Sequence, residues 1–134
     1  MPPSKPAPGS PEDWLARAKA DLALAQLELP PGAVYEDLCF HAQQAAEKAI
    51  KAVFVFHGWA FPYVHDLDEL IGHLERKQLA VPPDVKEAGS LTPYAFDTRY
   101  PNAGEPVTAE DHRQAVEWAS TVVRWAQGRM AGGK

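Results

Sequence analysis

Apolar residues recur along this chain at steps of three and four, the repeat of an α-helix, in several separate segments. Leu15, Ala18, Leu22, Ala25 and Leu29 form the first stripe. Ser10-Pro11-Glu12-Asp13 supplies a cap, a first-turn proline and acids at the positive end of the helix dipole. A helix is therefore expected from Pro11 to about Leu29, where Pro30-Pro31-Gly32 stops it. A second stripe, Leu38, Ala42, Ala45, Ala49, Val53 and Phe56, is widened by Ile50 and Phe54 and predicts a central helix over Val34 to Phe56, with Gly58 beyond its end. Its small residues allow close approach by another helix, the first or the last. Leu67, Leu70, Ile71 and Leu74 predict a third helix to about Gln78, with Asp66 and Glu69 at capping-box spacing. Asp84 to Phe96 reads as a weaker fourth, interrupted by Gly89 and Pro93, and Tyr100 to Val107 as a loop. Thr108-Ala109-Glu110-Asp111 starts a last helix whose face carries Ala115, Ala119, Val122 and Ala126 with Trp118 and Trp125, ending near Arg129. No segment sustains period-two alternation, so the expected class is all-α, an up-and-down bundle of four to five helices.

Residues 1–11 hold five prolines and predict a flexible lead, residues 12–129 one helical domain, and residues 130–134 a frayed tail. A chain of 134 residues is one domain's worth, and 46% hydrophobic and 23% charged residues are ordinary globular values. The net charge of −5 argues against a nucleic-acid binder that works through a broad basic patch, though it leaves room for a local cationic site. Cys39 is alone, so no internal disulfide or paired-cysteine metal site is expected. Without a leader-like segment or a long apolar run, the expected compartment is the cytoplasm, with no membrane contact. Glycine-rich phosphate loops and nucleophile elbows are absent.

Candidate chemistry gathers in two places. His41, Gln44, Lys48 and Lys51 follow one another at steps of three, four and three, which sets a histidine, an amide and two cations on one helical line suited to phosphate or base edges. The plainer account makes the lysines a solvated face, Glu47 pairing with Lys51 and His41 packing at its margin. The second place is Tyr94 to Pro101, where Tyr94, Asp97, Arg99 and Tyr100 fall close together. A guanidinium grips phosphate in a fork and a phenol ring stacks on a base, which suits a nucleotide or single-stranded RNA. Structurally, Asp97 and Arg99 could equally pair or cap, with Tyr94 and Phe96 in the core.

The run from Phe40 to Ala52, read with Tyr94 and Asp97-Thr98-Arg99-Tyr100-Pro101, resembles the HEPN family over roughly residues 10 to 129. The resemblance implies a helical domain linked to nucleotide and RNA chemistry. Ribonuclease members of that family carry an arginine followed four to six residues later by a histidine near the last helix. No such pair occurs here; His112 and Arg113 stand in reverse order at the start of the last helix. What the resemblance implies instead is the branch associated with a minimal nucleotidyltransferase, as in toxin–antitoxin pairs, with homodimers common. Arg99 would contact phosphate, Tyr94 or Tyr100 would stack or hydrogen-bond, and His41 would orient the ligand. No cofactor beyond such a nucleotide and no metal are expected, and no catalytic residue is assigned. Alternatives are a metal-independent ribonuclease with a non-standard site, and a helical module that only docks a partner. A metal-dependent phosphohydrolase resembling the HD family, built on His41, His65-Asp66 and Asp97 or Asp111, is the remaining one.

Overall fold

The computed structural model describes residues 5–96 and 105–132, and among them there is no strand. The elements are α1 (Pro11–Ala25), α2 (Tyr35–Phe56), α3 (Leu67–Arg76), the single turn α4 (Pro83–Lys86), a 3₁₀ helix (Glu87–Ala95) and α5 (Ala109–Ala131). The protein is an all-α bundle with α2 at its centre: α1 and α5 both lie along it and touch each other, while α3, α4 and the 3₁₀ helix close the remaining side.

The alanine stripe explains that arrangement. Ala42, Ala45, Ala46, Ala49 and Ala52 are fully buried, as are Ala18 and Ala25 of α1 and Ala115, Ala119 and Ala126 of α5. Methyl side chains let three helix backbones approach closely. Larger residues, Ile50, Val53, Phe54, Leu67, Leu70, Leu74 and Leu91, fill the space towards α3 and the 3₁₀ helix.

The helix starts follow their sequence signals. Ser10 accepts from the Asp13 N–H and Asp66 from the Glu69 N–H. Thr108 and Asp111 form a reciprocal capping box, each side chain bonding the other's backbone N–H. Val34 stands at the N-cap of α2 without a side-chain bond. Gly58, with φ of +74°, takes the left-handed position after the His57 cap.

Four features differ from the sequence reading. First, α1 ends at Ala25 rather than Leu29. The Ala25 carbonyl is taken by His112 Nε2 of α5 at 2.6 Å, and Leu24 and Leu27 face solvent at 44% and 47% exposure. The next turn would thus gain no burial and compete for an occupied acceptor. Second, α3 ends at Arg76, because Gln78 adopts the left-handed region at φ +68°. Third, the weak fourth helix is a turn of α-helix that tightens into the 3₁₀ run containing Pro93, which has no N–H to continue an α-helical ladder. Thr92 Oγ1 accepts from the Leu67 N–H and fastens this run to the start of α3. Gly89 passes so close to Asp68 that a Cβ would stand 1.9 Å from its Oδ1. Finally, Ala131, expected to fray, still closes α5.

Candidate ligand site on the second helix

The polar residues of α2 sort into two clusters with the same ingredients: a carboxylate, a lysine and a histidine. In the first, Asp21 reaches across from α1. Its Oδ1 accepts from His41 Nδ1 at 2.9 Å and its Oδ2 from Lys48 Nζ at 2.6 Å. Asp21 is buried, while the His41 and Lys48 side chains remain 33% and 29% exposed. A buried carboxylate with two charge-assisted bonds therefore holds two partly exposed side chains in fixed positions at the α1–α2 seam.

The second cluster is sunk at Gln43, Glu47 and Lys51, while its histidine, His65, is exposed. Glu47 accepts from Lys51 Nζ at 2.8 Å, from His65 Nδ1 at 2.9 Å and from Gln43 Nε2 at 3.0 Å. Gln43 Nε2 also donates to the His65 carbonyl, which ties the α2–α3 connection to α2. The Lys51 and Glu47 side chains are only 8% and 5% exposed. Lys51 Nζ also lies over the Phe61 ring, 5.0 Å from its centroid. Burial alone pushes the Glu47 carboxyl up; the bonds from Lys51, Gln43 and His65 and the Lys51 charge outweigh it and leave the pKa below the usual value of 4.5.

The predicted line of His41, Gln44, Lys48 and Lys51 is thus divided. His41 and Lys48 meet on Asp21, and Gln44 lies between them, its Nε2 donating to Gln43 Oε1 at 2.7 Å. Lys51 does pair with Glu47, but in the interior, not on a solvated face. Asp21 and Gln43 went unnoticed in the sequence. Gln43, Glu47 and Lys51 follow at four-residue steps, and that second polar line on a helix already crowded with alanine was the available signal.

Tyr94 packs against the core and shares a hydrogen bond with the buried Cys39. Burial pushes both groups up to about 12, so each stays protonated at neutral pH. Asp97, Arg99 and Tyr100 lie outside the described residues. Phe96, the last residue before them, sets its ring against His65 with centroids 5.8 Å apart.

At the other end of the bundle, Leu27, Leu29, Tyr35, His112, Arg113 and Val116 line an open cavity of about 420 Å³. His112 Nε2–H donates to the Ala25 carbonyl, and Arg113 is ion-paired with Glu110. His112 is committed to that bond, while Arg113 lies exposed in a surface pair. Of the residues considered for a metal-dependent site, His41 serves Asp21, His65 serves Glu47 and Asp66 caps α3. Among the described residues, no three His, Cys, Asp or Glu side chains converge as metal ligands. No helix among them is long and apolar enough to cross a membrane.

Known proteins give a consistent frame for this geometry. The crystal structure of ST0689, an archaeal HEPN homologue, superimposes with a TM-score of 0.70 at 29% identity, over 90% of this chain and 98% of that one. No protein of curated function matches. The family model described as HEPN domain matches residues 11–129, nearly the whole folded part, and the chain belongs to that family.

Proposed function

We propose that this HEPN domain binds a nucleotide or single-stranded RNA at the α1–α2 seam, with His41, Gln44 and Lys48 as contacts. Arg99 grips phosphate and Tyr100 stacks or bonds, with Asp97 beside them in sequence; Tyr94 is left to its core position. Assembly as a homodimer, or beside a minimal nucleotidyltransferase in a toxin–antitoxin-like pair, belongs to the same proposal. The observation that carries it is the posture of His41 and Lys48: both are partly exposed, and both are fixed by one buried carboxylate. Fixed polar side chains spare a ligand the entropy of ordering them. The reading is one of binding, and no catalytic residue is assigned.

The test is a gel assay of labelled single-stranded RNA in chelator, with wild type and Arg99→Ala. The expected result is retarded migration without cleavage, weakened in the variant by about 1.5–3 kcal/mol, the scale of a charge-assisted hydrogen bond. Cleavage that survives chelation and vanishes in the variant would make the domain a metal-independent ribonuclease. Neither cleavage nor a shift would leave partner docking as its role.

A further inference from the structure

We infer that the α1–α2 site reads a neutral hydrogen-bond donor, such as the exocyclic amino group of a nucleobase, and does not read phosphate. The inference rests on the binding site proposed above and names the ligand chemistry it selects. Interior groups that can only accept set the polarity of this site.

The Glu47 carboxylate and the His65 carbonyl both accept from Gln43, so the Gln43 amide must face them with its NH₂ group. Its oxygen is then turned towards Gln44, which must answer as donor, and does so at 2.7 Å. The Gln44 oxygen, with the second N–H of its amide, is what remains for a ligand. Asp21 imposes the same logic on His41. Its Oδ1 takes the Nδ1–H, which leaves Nε2 as the ring atom facing a ligand, an acceptor when the imidazole is uncharged. Two buried carboxylates thereby fix the polarity of two partly exposed side chains, and both offer acceptors. His41 and Gln44 are three residues apart on α2, one turn along the same face.

Lys48 does not convert this into an anion site, because its ammonium and the Asp21 carboxylate cancel at 2.6 Å. A phosphate would meet the lone pairs of His41 and Gln44 beside an ammonium already paired with a carboxylate. An amino group flanked by a ring nitrogen, as on cytosine, would find acceptors at His41 and Gln44, and Lys48 could donate to the ring nitrogen. A sugar hydroxyl is the other source of the same donor chemistry.

The experiment follows the His41 ring and Gln44 side-chain amide signals by NMR while cytidine, uridine or pyrophosphate is added. Cytidine should move both signals with about tenfold lower Kd than uridine, the worth of roughly one hydrogen bond. Gln44→Met, a partly exposed change of similar length, should remove most of that preference. In Asp21→Asn, where Lys48 loses its counter-charge, pyrophosphate should begin to move the signals. Equal responses to the two nucleosides that disappear with their 2′-deoxy or 3′-deoxy forms would assign the donor to the sugar, within the same inference. Pyrophosphate moving the wild-type signals, or neither nucleoside moving them, would overturn it. A retarded RNA band together with pyrophosphate titration would sink this inference alone; absence of any RNA shift would sink the binding reading itself.

Discussion

The two clusters on α2 contain one carboxylate, one lysine and one histidine each, yet they differ in what they can do. Glu47, Lys51 and Gln43 spend their hydrogen bonds on one another in the interior, and His65 joins them from an exposed position. Asp21, His41 and Lys48 spend theirs on one buried carboxylate and leave polar atoms at the surface. A buried ion pair contributes little net stability compared with a well-packed apolar replacement, but breaking it is costly because a charge is stranded. The Asp21 pairs share a buried carboxylate too, but their cationic and imidazole partners are about a third exposed. The depth of the lysine, 8% exposed for Lys51 and 29% for Lys48, is what separates the two clusters.

The largest effect that would expose this contrast comes from Lys51→Met, which strands the Glu47 carboxylate. Urea denaturation should show a loss of about 3–5 kcal/mol. Replacing both partners, Glu47→Leu with Lys51→Met, should restore most of it. A single variant with a loss no greater than that of a surface pair would break the comparison. Next comes Asp21→Ala, which removes two charge-assisted bonds at a half-open position and should cost about 1.5–3 kcal/mol in the same assay. Lys48→Met leaves the buried Asp21 carboxylate with His41 alone and should cost about 1–2 kcal/mol.

Acid titration sharpens the comparison from another side. Glu47 has a folded pKa below its unfolded value, so its contribution is complete above pH 4.5 and is lost as pH falls through the folded pKa. Thermal unfolding followed from neutral pH downwards should show that loss in wild type and a shallower one in Lys51→Met. Equal slopes would mean that Glu47 is not held by Lys51.

Much of the architecture could be read from residue spacing. The stripes on α2, α3 and α5 are buried where the periodicity placed them, and the Thr108 box closes as its residue types require. The error at the end of α1 came from a tertiary bond: no local pattern in Leu22 to Leu29 reveals that a histidine 87 residues away will take the Ala25 carbonyl. The two polar lines of α2 were harder still. Glu47 and Lys51 have the spacing of a surface pair, and spacing is blind to depth. Their line runs about a quarter-turn around the helix from that of His41, Gln44 and Lys48. Only the packed structure shows which of the two faces solvent. Asp21 was invisible for a simpler reason, since it looks like any polar residue on an amphipathic helix until α2 is laid against it.

The close fit of α1 on α2 also gives the chain an order of assembly. The bonds from Asp21 to His41 and Lys48 span 20 and 27 residues, whereas α5 must return across 87 residues to reach Ala25. Shorter loops close at lower entropic cost and sooner. The α1–α2 hairpin is therefore the natural nucleus, and the alanine-lined trough for α5 exists before its occupant arrives. Pulse-labelled hydrogen exchange during refolding should protect the amides of α1 and α2 ahead of those of α5. During that interval the α1–α2 seam is already assembled, while the bundle around it is still open.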